Sequence, residues 1–479
     1  MRRSPIVHLV AGSFVIALAA VGGQISRLPS LQPHRSVATD RAAPTWALSA
    51  SAHSPARVIV KARRSELLPR LVTELLSPGP GGFAVPPSAV PVGGVTTFAS
   101  MPGLGVITLA SASDAETVLA RLRSDPRIEY AELDALWHVD TIPASRPNDA
   151  RYGEQWGLEN TGQAVGAQPA GIPGVDIDAR TAWGISHGSD DVIVAVIDSG
   201  VDVGHEDLRD NIWTNDKEVP GNGIDDDGNG VVDDVHGFNA IDRSGTVMDD
   251  VGHGTHVAGI IGAVGGNGVG VTGVNWKTRI MPLKFLGPEG GGTTSDAIAC
   301  IDYCVAMKER GENIRVVNCS WGSTENSRAL QDAMDAAIGT GMTFICAAGN
   351  DGVDTDQVPH YPSCFRSDGV ISVAALTPDD NLARFSNFGA ESVDIAAPGI
   401  EILSTLPGGQ YGFASGTSMA APFVSGVAAL VAGGAPNLTE HAMRERLLDH
   451  ATAVQWFDGK LASASRLSGS GALTAEAGH

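Results

Sequence analysis

From about residue 190 onward, short unbroken apolar runs take turns with longer segments of helical period. The runs at 191–198 (DVIVAVID), 279–285 (RIMPLKF), 315–319 (RVVNC) and 343–348 (TFICAA) lack the in–out alternation of a half-exposed strand. They read as strands covered on both faces, as in a parallel sheet. Segments opening at 253, 295, 327 and 418 carry small or apolar residues at helical spacing. Strand then helix, repeated, predicts an α/β fold over 149–479: a parallel β-sheet flanked by helices on both faces. The N-terminal third reads differently. Strand-like RVIVK at 57–61 and VITLA at 106–110 precede a helix at 113–123, with Val118, Leu119 and Leu122 on one face, and a strand at 128–132. This predicts a small α+β domain over 56–140, interrupted by a Pro/Gly-rich insertion at 78–94.

The chain opens with Met1-Arg2-Arg3 and an apolar stretch at 6–21, with Ala17-Leu18-Ala19 as a small-x-small cleavage site. That is a signal-peptide pattern over 1–21, and it implies a secreted or extracytoplasmic protein. A retained membrane anchor is the alternative. Residues 22–55 mix Ser, Ala, Pro and Arg without period, and are expected to be a disordered linker. A second linker, TIPASRPN, is expected at 141–148.

Charge sharpens the division. Residues 1–148 carry 14 Lys/Arg against 10 Asp/Glu, and the remainder 18 against 44. An acidic body argues against nucleic acid as a partner and is compatible with cation binding. The five cysteines, at 300, 304, 319, 346 and 364, form no CxxC pair, so zinc is not indicated. They read as mostly buried small apolar residues, with one disulfide open.

Chemistry concentrates at three places. Gly416-Thr417-Ser418-Met419-Ala420-Ala421-Pro422 opens an apolar helix, so Ser418 sits where free N–H groups and the helix dipole favour negative charge. A helix N-cap is the commoner role for such a serine. Gly252-His253-Gly254-Thr255-His256 starts a second helix with a histidine, and Asp198 ends the first buried strand, where α/β sheets place their ligands. His256 lies one turn from His253, but no HExxH glutamate accompanies the pair. The glycine-rich loop at 266–270 fails the GxGxxG spacing of a nucleotide fold. Locally, Asp225-x-Asp227-x-Asn229-Gly230-Val231 with Asp233 or Asp234 beyond has the oxygen spacing of an EF-hand-like calcium loop, although its twelfth position is His236 and not Glu.

Asp198-Ser199-Gly200, the His253 motif and the Ser418 motif, in that order, resemble the subtilisin-like serine proteases, or subtilases. The resemblance implies a subtilisin-like fold and an Asp198–His253–Ser418 triad, with Asn350 of Ala347-Ala348-Gly349-Asn350 at the oxyanion. It implies peptide or protein substrates paired as a strand between Gly290, Gly291, Gly292 and Ser320, Trp321, Gly322. His360, before Tyr361-Pro362, is expected at the floor of the adjoining pocket. Asp149, Asp207 and Asn267, with the carbonyls of Val264, Val269 and Val271, match the family's tight Ca2+ site. The 56–140 domain resembles the subtilase propeptide, which implies an intramolecular inhibitor, a self-processing zymogen and a monomer. The alternative is a catalytically inactive subtilase fold serving as a binding module.

Overall fold

The structure is a computed structural model that describes residues 53–64, 92–98, 101–110, 114–135, 145–166 and 170–474, with the helical positions 68, 70, 72 and 74. The expected signal peptide, nearly all of the first linker and the start of the second lie outside the described residues. Two compact units divide the chain, Met1–Val139 and Asp140–His479.

The first unit is a four-stranded antiparallel sheet with one described helix. Strands β1 (His53–Ala62), β2 (Val92–Thr97), β3 (Leu104–Leu109) and β4 (Ile128–Ala135) are ordered β2-β3-β1-β4, and α1 spans Ala115–Ser124. Val58, Val60 and Ala62 alternate along β1 and all point inward, as a one-sided sheet requires. They meet Val118, Leu119 and Leu122 of α1 in one core. Two details differ from the expectation. β1 starts at His53, inside the stretch read as linker, and β2 begins at Val92, inside the stretch read as insertion. Gly93 and Gly94 dilute the strand signal of β2, whose pairing with β3 supplies what local propensity does not.

The second unit is built round nine strands. In chain order they are β5 (Gly188–Asp198), β6 (Phe238–Asn239), β7 (Lys277–Lys284), β8 (Ile314–Cys319), β9 (Thr343–Ala347), β10 (Val370–Leu376), β11 (Ile395–Pro398), β14 (Thr452–Ala453) and β15 (Ser465–Arg466). Their order across the sheet is β14-β15-β11-β10-β9-β8-β5-β7-β6, parallel throughout except β14 with β15. Strand β5 shows why its apolar run is unbroken. Val192, Val194 and Val196 enter one core and Ile193, Ala195 and Ile197 enter the other. The first core also takes α2 (Ala179–Ile185), α3 (His253–Gly262) and α6 (Thr417–Gly434), while the second takes α4 (Thr294–Glu309) and α5 (Arg328–Ile338). Helix α6 is apolar and long enough to cross a membrane, yet it is buried within the unit. Pro422 is the sixth residue of this helix and offers no N–H to the carbonyl of Ser418, which accepts from the Ser320 hydroxyl instead. Thr293 and Ser327 cap α4 and α5 through their hydroxyls.

Between β11 and α6 the chain makes a hairpin, β12 (Ile402–Leu406) with β13 (Gln410–Ala414), turned at Gly408 and Gly409, both at positive φ. Cys300, Cys304, Cys319 and Cys346 are buried, Cys364 is half-buried, and all five are free thiols.

Candidate active site

Three neighbouring strands deliver the chemistry. Asp198 ends β5, Ser320 follows β8, and Asn350 follows β9. Asp198 is fully buried, and its Oδ1 accepts from His253 Nδ1 at 2.8 Å and from Ser199 N at 2.7 Å. Asp198 Oδ2 is buried without a partner. His253 is the first residue of α3 and keeps 23% of its side chain exposed. The helix can come this close because Gly254 lacks a side chain, whose Cβ would stand 2.1 Å from Gly200 O. Burial alone would depress the His253 pKa, but the charge and hydrogen bond of Asp198, with Asp249 beyond, raise it overall.

Asp249 holds this arrangement. Its Oδ1 accepts from Ser199 Oγ, Val251 N and Gly252 N, and its Oδ2 from Thr255 N and Thr255 Oγ1. Lys284, at the end of β7, reaches Ser199 O at 2.5 Å and Asp250 Oδ2 at 3.0 Å. These two residues were not singled out from the sequence. A signal existed, since Asp249 lies four residues before His253 and an acid is favoured ahead of a helix.

Ser418 is the second residue of α6. Its hydroxyl donates to Ser320 O at 3.0 Å, and Ser320 Oγ donates back to Ser418 O at 2.8 Å. The hydroxyl must release this bond to Ser320 O before it can give its proton to His253. Asn350 Oδ1 accepts from Thr417 N at 2.9 Å and Thr417 Oγ1 at 3.0 Å. With Oδ1 so occupied, its Nδ2 donors face the opposite side. The second histidine of the motif is used otherwise: His256 Nε2 donates to Ile402 O and Gly412 O of the hairpin. Burial pushes His256 down to about 4.

The two expected substrate segments meet through one ring. A Cβ on Gly292 would press on Phe285, and Phe285 packs edge-on against Trp321 with centroids 4.7 Å apart. Gly290, Gly291 and Gly322 are exposed, while Ser320 is buried beneath them. His360 fills the space next to Gly322. Ser323 and Tyr361 exchange backbone hydrogen bonds at 2.8 and 2.7 Å, which brings His360 alongside. A Cβ on Gly322 would stand 2.3 Å from His360 Cε1, and one on Gly349 would stand 2.9 Å from His360 Cδ2. The imidazole therefore spans the gap between the two backbone walls that flank Ser418 and Asn350.

The expected cation residues fall in two places. Asp207 is fully buried, accepting from Asn267 Nδ2 at 2.7 Å and Val271 N at 2.9 Å, and its backbone carbonyl accepts from Val264 N. Asp149 Oδ2 accepts from Gly266 N, while its Oδ1 is buried with no partner. Asn267 Oδ1 accepts from Val269 N. Asp149, Asp207, Asn267, Val264, Val269 and Val271 thus line one loop. Burial, aided by Asp149, raises Asp207 to about 6. The Asp225–Asp233 loop is arranged differently from its linear reading. Asp225 accepts from Asn229 N and Gly230 N, and Asp233 from Asn222 N and Gly223 N. Asn229 Oδ1 accepts from Val231 N. Asp227 also accepts from Asn229 N, at 2.9 Å, and brings an oxygen close to Glu218 and Asp234.

The profile of the Subtilase family matches residues 189–471. The chain is 34% identical over 326 residues to the thermophilic serine proteinase of Bacillus sp. (strain AK1), covering 68% of each. It is 32% identical over 347 residues to subtilisin amylosacchariticus of Bacillus subtilis subsp. amylosacchariticus, covering 72% of this chain and 76% of that one. Against subtilisin-like protease 1 of Plasmodium falciparum it is 37% identical over 275 residues, covering 53% of this chain and 39% of that one. The chain thus spans about two fifths of the length of that relative. A solved protease structure from Pseudoalteromonas arctica superposes with a TM-score of 0.55 at 28% identity, covering 69% of this chain and 99% of that one.

Proposed function

The chain belongs to the subtilase family, and from that membership we propose that it is a serine endopeptidase. The observation that carries the reading is the 2.8 Å Asp198–His253 pair beside a serine at a helix N-terminus. Ser418 attacks the peptide carbonyl, and His253 takes its proton and later gives it to the leaving amine. Asp198 holds Nδ1 protonated and stabilises the imidazolium. The developing oxyanion is held by the Ser418 N–H and Asn350 Nδ2, which are positioned before the reaction begins. Substrate adds as a strand between Gly290–Gly292 and Ser320–Gly322.

The imidazole of His360 between Gly322 and Gly349 supports a preference for small residues immediately before the cut. A long P1 side chain would have to displace that ring.

Calcium at the Asp149 loop is part of the same proposal. The partnerless buried Asp149 Oδ1 and the buried Asp207 fit a hard divalent cation, with Asn267 and the carbonyls of Val264, Val269 and Val271 completing an oxygen shell. Such an ion would fix the loop and take no part in the chemistry. The leader pattern supports secretion. A separate α+β unit ahead of the α/β unit supports a self-processing zymogen inhibited by its own propeptide. A fluorophosphonate probe tests the core of the reading: it should label the wild type and not Ser418→Ala. A folded wild type that resists labelling would make this an inactive member.

A further inference from the structure

His360 carries a nitrogen that the fold leaves unanswered, and carries it beside the reacting atoms. Its ring stands between two stretches of bare backbone. A Cβ on Gly322 would press on the Nδ1–Cε1 edge of the imidazole, and one on Gly349 on the Cγ–Cδ2 edge. Nε2 joins those two edges at the outer end of the ring. Both stretches lead to the nucleophile. Ser320, two residues before Gly322, accepts from the Ser418 hydroxyl through its carbonyl, and Gly349 N donates to Thr417 Oγ1 at 3.1 Å. The side chain of the residue before the cut therefore comes down onto this ring.

The loop beneath the ring decides what Nε2 can do. Ser363 Oγ donates to His360 O at 2.8 Å, and Cys364 N donates to the same carbonyl at 2.9 Å. The Ser363 hydroxyl has one hydrogen, and it is spent there. Ser363 Oγ therefore meets Nδ1, 3.4 Å away, as an acceptor, and Nδ1 carries the ring proton. Burial lowers the His360 pKa, against a smaller opposing effect of Asp351, so the ring is uncharged at physiological pH. A neutral imidazole protonated on Nδ1 offers a lone pair at Nε2. Nε2 has no partner among the described residues and is not sealed from solvent.

The geometry points to His360 Nε2 as an acceptor that selects a hydrogen-bond donor on the residue before the cut: a short side chain bearing O–H or N–H, namely Ser, Thr or Asn. This rests on the endopeptidase reading above and narrows it from small residues to small donors. Selection works through the penalty for the wrong residue. An apolar side chain of the same shape clears solvent from Nε2 and leaves it without a donor. A carboxylate sets one acceptor against another and buries an unpaired charge. Threonine and valine have nearly the same shape, as do asparagine and aspartate, so each pair separates the hydrogen bond from size.

The test uses the full chain and quenched peptides that differ only at the residue before the cut, with the cut confirmed by mass spectrometry. In the wild type, kcat/KM for Thr should exceed that for Val by about 10-fold or more, and Asn should exceed Asp by at least as much. His360→Phe keeps a ring and removes the acceptor, so the Thr-to-Val ratio should fall to about 1. His360→Leu takes its place should His360→Phe not fold. A wild-type ratio near unity overturns the proposal, and so does an undiminished ratio in the variant. Reaction of Ser418 with a fluorophosphonate tells this failure from that of the endopeptidase reading. A labelled enzyme without the preference removes only the role of His360, whereas a folded chain that neither labels nor cuts removes both.

Discussion

Two groups of buried acids in the second unit are handled in opposite ways. Around the triad, Asp249 receives five hydrogen bonds from the chain's own N–H and O–H groups, and Lys284 supplies a nearby cation. Asp198 keeps Oδ2 unpaired, but its charge is answered by His253 whenever the imidazole is protonated. In the acidic loop, Glu218, Asp227 and Asp234 share one guanidinium and leave an oxygen unanswered. The difference follows from what each group must do. A charge that tunes a general base has to be the same in every molecule, so its partners are built into the fold. A charge that serves only to hold a loop can take its partner from solution, and stability then depends on the ion's concentration.

Substitutions near the triad are expected to change rates, and substitutions in the acidic loop to change stability. Ser418→Ala carries the largest effect: kcat should fall by about 10⁶-fold, as in subtilisin, with calcium-dependent melting unchanged. Asn350→Ala should lower kcat by about 10²–10³-fold, again as in subtilisin, with little change in KM. A variant that loses only KM would move Asn350 out of the oxyanion site. His360→Gly should raise the ratio of kcat/KM for P1 Phe over P1 Ala by about 10–200-fold, the span of small side-chain differences in a pocket. Profiling matched peptides checks this, and an unchanged ratio would take His360 out of the pocket. The smallest effect is on pH dependence. Activity needs neutral His253, whose pKa is raised by Asp198 and Asp249, so kcat/KM should climb with pH through a midpoint above the ordinary histidine value. Asp249→Asn removes one of those charges and should move the midpoint down. An upward move would mean that Asp249 does not face the imidazole. The stability contribution of the same raised pKa has the opposite sense: present at low pH and lost as pH rises through it.

Much of this was legible in order and type. The unbroken runs at 191–198 and 315–319 announced strands covered on both faces, because a parallel sheet between helix layers leaves no polar side to alternate with. Asp198 and His253 could be named because each ends or begins an element whose pattern is strong, and Asn350 because Ala347-Ala348-Gly349-Asn350 resembles the family's signature. What was not legible depends on contacts far apart in the chain. Asp225, Asp227 and Asp233 all accept from backbone N–H groups of the turn, and of the three Asp227 is the one that also faces Glu218 and Asp234. Linear spacing registers five aspartates alike and cannot say which of them face inward. Lys284 reads as a flaw in an apolar strand until β7 is laid beside β5. The β12–β13 hairpin is hard to read from the sequence, since exposed Gln410 and the glycines mask its alternation. The shape of the pocket at His360 needed two glycines from separate strands, Gly322 and Gly349, to be seen together.

Helix α6 lies in the first core among β5, β8, β9 and β10, and it carries Ser418. This gives the site a schedule as well as a shape. A ribosome adds about 5–20 residues per second, and the N-terminal unit emerges first. Asp198 and His253 leave the ribosome while the nucleophile is still well over a hundred codons away. Until α6 is made, the first core lacks its central helix and no hydroxyl stands at the ends of the strands. On the proposed function, a growing chain would be harmless to its neighbours for roughly ten seconds or more at that rate, and the capacity to cut would arrive in one late step together with the completed core.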